Sequence, residues 1–176
     1  MPLWRTLPFA VCLAAAACAP EKPEGLQLPA KPVAESVECT VAAVSPESAA
    51  KGLSVGIDAF SSGDMAAAVT AWQSAAKAGS VQAQYNLGVM LETGRGFARN
   101  EALAACWYRH AAADGYAPAE NNLGILYQEG RGVPQDYVRA ADLFQRAAEK
   151  GLPNAQRHLA IQLEAGWGVP RAPEEA

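Results

Sequence analysis

From Val81 to Leu152, apolar side chains return every three or four residues, and the series is written twice. Ala83, Leu87 and Leu91 share one face of a predicted helix. Gly94 follows, where a helix ends on a left-handed residue without a β-carbon. A second helix starts behind a side-chain acceptor: Asn100 in one copy, Asp136 in the next, and Asp64 in an earlier, more divergent one. Its buried stripe sets one ring between alanines. The three versions are Ala68, Trp72, Ala75; Ala104, Tyr108, Ala111; and Ala140, Phe144, Ala147. Small residues let two helices approach closely while the ring fills the space between them. Gly79, Gly115 and Gly151 close the second helices.

Residues 81–116 and 117–152 align without a gap at a period of thirty-six. Ala83/Ala119, Asn86/Asn122, Leu87/Leu123, Gly88/Gly124, Gly94/Gly130, Arg95/Arg131 and Gly96/Gly132 are among the identical pairs. A third copy, 153–176, keeps Ala155, Leu159, Gly166, Gly168, Val169 and Pro170. A fixed period of this size marks a stacked repeat architecture. The runs AQYNLGVMLETGRG and AENNLGILYQEGRGVPQDYVRAADLFQRAAEKG resemble Sel-one-like repeats, a branch of the tetratricopeptide-like superfamily. The resemblance implies an all-α chain, a short right-handed α-solenoid of helix-turn-helix repeats that binds other proteins.

The flanks differ from the repeats. Residues 47–80 read as a degenerate N-terminal helix pair, with a first helix over about 47–60 and the short turn Ser61-Ser62-Gly63-Asp64. The last unit carries one helix, over about 155–165. The tail Arg171-Ala172-Pro173-Glu174-Glu175-Ala176 is too short and too proline-broken for another. That leaves Arg157, His158, Gln162 and Glu164 on a helix with one wet side, as a C-terminal cap needs.

Residues 1–17 read as an export signal. Arg5 supplies the positive end, and Leu7 to Ala17 is an apolar run too short for a membrane span of about 20 residues. Two processing routes stay open. Ala15-Ala16-Ala17 is a site for ordinary cleavage, giving a soluble periplasmic or secreted protein. The same residues before Cys18 resemble a bacterial lipobox, with Ala15 where leucine is usual, and would make Cys18 the lipidated residue of an outer-membrane lipoprotein. Residues 18–46, with Pro20, Pro23, Pro29, Pro32 and Pro46, form a proline-rich tether with little apolar mass to bury.

The formal charge of −4 and the absence of a Lys/Arg cluster argue against a nucleic-acid partner. Two S-x-x-K spacings, Ser48/Lys51 and Ser74/Lys77, match the nucleophile motif of serine β-lactamases, but S-D-N and K-T-G are missing. Gly94-Arg95-Gly96 and Gly130-Arg131-Gly132 follow helices rather than strands. They read as turns, with each arginine expected over the last carbonyls of the preceding helix. His110 and His158 fall at different repeat positions and neither has a second histidine three or four residues away, so no metal or cofactor site is expected. His110 is expected on the wet outer face. Cys39 and Cys106 are the cysteines beyond the signal region. They form either a disulfide, which export would permit, or two free thiols.

The positions that vary between copies carry the functional expectation. Tyr85, Val89 and Glu92 lie on one stripe of a first helix. Asn121, Ile125 and Gln128, then Arg157, Ile161 and Glu164, continue it. In the family such helices line the concave face, which suits an extended peptide or a partner helix. The chain is thus expected to be a monomeric, non-catalytic adaptor of the bacterial cell envelope. It would hold another protein or peptide and touch the membrane only through Cys18. A β-lactam- or peptidoglycan-acting enzyme and an inhibitory subunit of an envelope enzyme are the other readings.

Overall fold

The computed structural model describes residues 39–42, 46–96 and 98–168. The export signal, Cys18, most of the tether and the tail after Gly168 lie outside the described residues. Among the described residues are seven helices and no strand: α1 (Pro46–Ser61), α2 (Met65–Lys77), α3 (Val81–Thr93), α4 (Glu101–Ala113), α5 (Ala117–Glu129), α6 (Tyr137–Glu149) and α7 (Pro153–Ala165). Each helix packs chiefly against the one before and the one after, so α1/α2, α3/α4 and α5/α6 form successive hairpins and α7 closes the stack.

Caps set the helix lengths. Asp64, Asn100 and Asp136 accept from the backbone N–H groups of Ala67, Leu103 and Arg139 at 2.9–3.0 Å. α5 and α7 instead carry proline in the first turn, Pro118 and Pro153, where a missing N–H costs nothing. Pro153 starts α7 two residues earlier than its apolar spacing suggests. The first helices α3, α5 and α7 end on Gly94, Gly130 and Gly166, all left-handed.

The core is the repeated stripe. Ala68, Ala75, Ala104, Tyr108, Ala111, Ala140, Phe144 and Ala147 have no exposed surface, and Trp72 retains 4%. Each ring lies against a glycine of the preceding helix. A β-carbon on Gly124 would stand 2.7 Å from Phe144, and one on Gly56 or Gly88 would run into Trp72 or Tyr108. Glycine therefore sets how closely the two helices of a hairpin approach. At the same register α7 has Ala160, which is exposed.

The turns lock one unit to the previous one. Gly132, at φ +68°, lies against the backbone of Glu101 and Ala102, and Gly168, at φ +71°, against that of Tyr137. The second glycine of these two G-x-G runs thus sits on the start of the previous unit's second helix, where a β-carbon would meet backbone. Arg131, between two such glycines, does not lie over the carbonyls ending α5. It reaches Glu92 at 2.9 Å, Glu101 at 3.0 Å and Glu129, joining the α3/α4 unit to the next. Three nearby carboxylates outbid the weaker partial charge of a helix end.

Glu101 is held below the usual carboxylate range by hydrogen bonds from Arg131 and Arg99. Its contribution is present above the unfolded value of about 4.3 and fades as pH falls through the lower folded value. Arg131→Ala should cost about 1 kcal/mol at neutral pH. Urea midpoints measured across the acid range should show this deficit shrinking as the pH falls.

A second inter-unit seam recurs at the ends of the second helices. Gln84 donates to the Ala76 carbonyl at 3.3 Å, and Gln156 donates to Ala148 at 3.4 Å. At the same position in the middle repeat stands Glu120, fully buried, 2.6 Å from both Arg146 and Lys150. Arg146 also donates to the Ala112 carbonyl at 3.0 Å, so one cation serves the helix end and the carboxylate together.

The cap helix corrects one expectation. Gln162 does not face water: it is fully buried and donates to Gln128 at 3.3 Å. It occupies the inward register of Met90 and Leu126. His158 is half-buried, stacked on Phe144 with ring centroids 4.9 Å apart.

Candidate functional site

The first helices α1, α3, α5 and α7 carry the variable stripe. Its α3 portion borders a cleft of ≈ 280 Å³ lined by Ile57, Phe60, Trp72, Tyr85, Asn86, Val89 and Met90. Ile57 is 50% exposed and Phe60 37%. Phe60 tilts against Trp72 at 5.5 Å, so the floor is aromatic and the rim aliphatic. Tyr85 packs at 5.9 Å from Tyr108 and 5.3 Å from Tyr116, which fixes its ring as one wall. Burial, with Tyr116 beside it, pushes the Tyr85 phenol above its ordinary range, so it meets a ligand neutral.

α1 contributes residues that the thirty-six-residue register hides. The turn before α2 is four residues shorter than the later ones, so Gly56 precedes Gly88 by thirty-two. Leu53, Ile57 and Phe60 then correspond to Tyr85, Val89 and Glu92. The glycine-on-ring contact, with Gly56 on Trp72 as Gly88 is on Tyr108, reveals this register. The stripe is more apolar at its N-terminal end than the α3 residues alone suggest.

The other stripe positions divide. Val89, Ile125 and Gln128 are half-buried, and Arg157, Ile161 and Glu164 are exposed. Glu92 is engaged: it accepts from the Tyr108 hydroxyl at 2.8 Å and pairs with Arg131. Asn121 departs from the expected surface role. It is only 6% exposed and donates to Asn122 at 3.2 Å, so it belongs to the packing beneath the stripe. Burial and the neighbouring Glu92 push the Tyr108 phenol far up, which keeps it a donor to that carboxylate.

A second cleft, of ≈ 260 Å³, lies around the turn between α5 and α6. Arg109, Tyr127, Val133, Pro134, Gln135, Asp136 and Arg139 line it. Arg139 lies 5.5 Å from the Tyr127 ring centre and donates to its hydroxyl at 3.4 Å. Burial would raise the Tyr127 phenol, but hydrogen bonds from Arg139 and Arg109 outweigh it and hold the group below its ordinary range.

The remaining chemistry-bearing residues are scattered. Ser48 and Lys51 are exposed near the start of α1, and Ser74 and Lys77 are exposed at the end of α2. Neither S-x-x-K pair lines the two clefts. Cys39 and Cys106 are joined in a disulfide with Cα atoms 6.3 Å apart. His110 is not on an open outer face: it is half-buried one helical turn from Cys106, with its ring 6.0 Å from that of Trp107.

Helical hairpins stacked in sequence, with no strand among the described residues, define an α-solenoid. The Sel1 repeat model matches residues 81–116, 117–152 and 153–176, and the chain belongs to the Sel1 repeat family. Proteins of this family are typically protein–protein interaction scaffolds. Among solved structures, the chain is similar to a protective antigen of uropathogenic Escherichia coli strains displaying an SLR fold, at 33% identity and a TM-score of 0.68. That similarity covers 70% of this chain and 27% of the antigen. A Sel1 repeat protein from Oxalobacter formigenes is similar at 33% identity and a TM-score of 0.67, over 71% of this chain and 53% of that one. The chain therefore spans about a quarter and about half of these two proteins. No curated protein matches the chain.

Proposed function

We propose that this array is a non-catalytic adaptor of the bacterial cell envelope. It takes up a segment of another protein along its first helices, with the cleft between α1 and α3 as the anchoring point. The single observation that carries this reading is the cleft's make-up: Ile57 and Phe60 stand open beside Tyr85 and Val89, gathered round one cavity. Open apolar surface rimmed by polar residues marks interaction sites in soluble proteins. The volume suits one or two large apolar side chains of a partner helix or extended strand. Ile125 and Ile161 continue the track, with Arg157 and Glu164 as polar contacts at its far end.

The envelope assignment rests on the sequence of residues 1–46: a short apolar leader, Cys18 behind three alanines, and a proline-rich tether. On this reading Cys18 carries the lipid anchor, and the tether holds a monomeric array off the outer membrane.

A photo-crosslinking residue at Ile57 or Val89 should trap one recurring partner in intact cells. The same residue at Val138, 65% exposed and outside the cleft, should not. Ile57→Glu should weaken capture of that partner by about tenfold or more, the scale of a buried anchor residue, with helical content unchanged. Equal trapping from Val138, or full capture by Ile57→Glu, would remove the cleft from the proposal. Labelled fatty acid should appear on the chain and vanish in Cys18→Ala if the anchor is real.

A further inference from the structure

We infer that the reduced protein holds a thiophilic divalent cation, zinc(II) being the best fit, between Cys39, Cys106 and His110. The two sulfurs and a ring nitrogen of His110 all lie within 4.8 Å of one another, and all three residues are half-buried. The arrangement follows from the chain. Cys106 and His110 are four residues apart on α4, so their side chains share one face. The segment 39–42 brings Cys39 to that face and is pinned to the end of α2, where the Ala42 N–H donates to the Lys77 carbonyl at 2.8 Å. A search for paired histidines misses the site because its helical pair is a cysteine and a histidine.

Two thiolates and one imidazole are a ligand set that zinc favours. Tetrahedral bonds of about 2.3 Å to sulfur and about 2.0 Å to nitrogen hold donor atoms roughly 3.5–3.8 Å apart. The imidazole nitrogen, within 4.8 Å of both sulfurs, has to close by about 1 Å, which a χ rotation on α4 supplies. The sulfurs need only separate modestly once their bond opens, and only one of them is on a helix. Three protein ligands leave a fourth position for water or a partner's side chain.

Loading requires a two-electron reduction. A dithiol reductant attacks the Cys39–Cys106 bond and leaves as its own disulfide, giving two electrons and two protons to the cysteines. The cation then displaces the two thiol protons to solvent. Its double charge is balanced by two thiolates, with the imidazole neutral. Either link, sulfur–sulfur or sulfur–metal–sulfur, closes the same 67-residue separation and keeps the tether's end on α4. Only the reduced, metal-free chain lets go.

The test uses the full chain with Cys12→Ser and Cys18→Ser, so that Cys39 and Cys106 are the only thiols. Oxidised and dithiol-reduced forms, freed of reductant without air, are titrated with zinc against a chromophoric chelator. Helical content is followed by circular dichroism. The reduced form should bind one zinc per chain while keeping its helices, and the oxidised form none. His110→Ala should weaken binding by more than about tenfold, the scale seen when even an outer-shell partner is lost, and His158→Ala should leave it unchanged. Zinc should also shield both thiols from alkylation. The inference is overturned if the folded, reduced chain takes up no stoichiometric zinc, if the oxidised chain binds as tightly, or if His110→Ala binds like the parent.

Discussion

The double variant Arg146→Ala/Lys150→Ala is expected to lose about 3–5 kcal/mol of stability, although neither side chain is in the core. The cause is Glu120. Its side chain has no exposed surface and is neutralised by two cations at 2.6 Å, whose own side chains are 43% and 39% exposed. Removing the cations strands a carboxylate in the seam between α4 and α5. Removing the carboxylate strands nothing, because both cations can turn to water. Glu120→Gln alone should therefore be nearly neutral. It also converts the position to the residue type found at the same register in the neighbouring units, where Gln84 and Gln156 donate to the Ala76 and Ala148 carbonyls. Added to the double variant, Glu120→Gln should restore most of the loss, its amide taking the Ala112 carbonyl that Arg146 has left. Urea unfolding of the four proteins decides it. A double variant within about 1 kcal/mol of the parent, or one that Glu120→Gln fails to rescue, would show the buried carboxylate to be an incidental feature.

Local signals made the hairpins legible. Asp64, Asn100 and Asp136 act as caps because a short acceptor side chain has one favourable use beside free N–H groups. The alanine–aromatic–alanine stripes are buried because their spacing allows no other common face. What depends on three-dimensional partners is less legible in the sequence. The Gly-Arg-Gly pattern points Arg131 at a helix end, but two of the three carboxylates it reaches, Glu92 and Glu101, lie thirty or more residues earlier in the chain. Asn121 and Gln162 look solvent-facing by residue type, yet both are buried, Gln162 at the register of Met90 and Leu126. A polar residue at a core register gives no sequence warning unless the copies are compared position by position.

The same comparison explains why α1's share of the stripe stayed hidden. A shortened turn moved its register by four residues, and only the glycine facing a ring restores the alignment. His110 illustrates the opposite difficulty. Its neighbour Cys106 is visible at helical spacing, but Cys39 lies far away in sequence and only the fold brings it near. The groove residues stand between these cases: the stripe can be drawn from periodicity, while which members remain open depends on the depth of packing between units.

The glycine facing each ring also makes the second large prediction. Gly88→Val is expected to cost about 3 kcal/mol, the upper range for overpacking a dense core. A β-carbon there already stands 2.6 Å from Tyr108 Cδ1, before the valine methyls are counted. The ring cannot swing aside freely. It has no exposed surface, its hydroxyl donates to Glu92 at 2.8 Å, and it accepts from Asn122 at 3.3 Å. Either α3 and α4 part, losing contact along the stripe, or Tyr108 gives up hydrogen bonds worth about 1 kcal/mol each. Gly88→Ala tests the same clash against a helix-propensity gain of about 1 kcal/mol and should cost less, roughly 1–2 kcal/mol. Ala160→Val is the control. It occupies the same register in α7, is exposed, and meets no ring of a following helix among the described residues, so it should shift the urea midpoint only slightly. Equal shifts for Gly88→Val and Ala160→Val would mean that the spacing within each hairpin is set elsewhere, and that the glycine is a passenger of the repeat rather than its gauge.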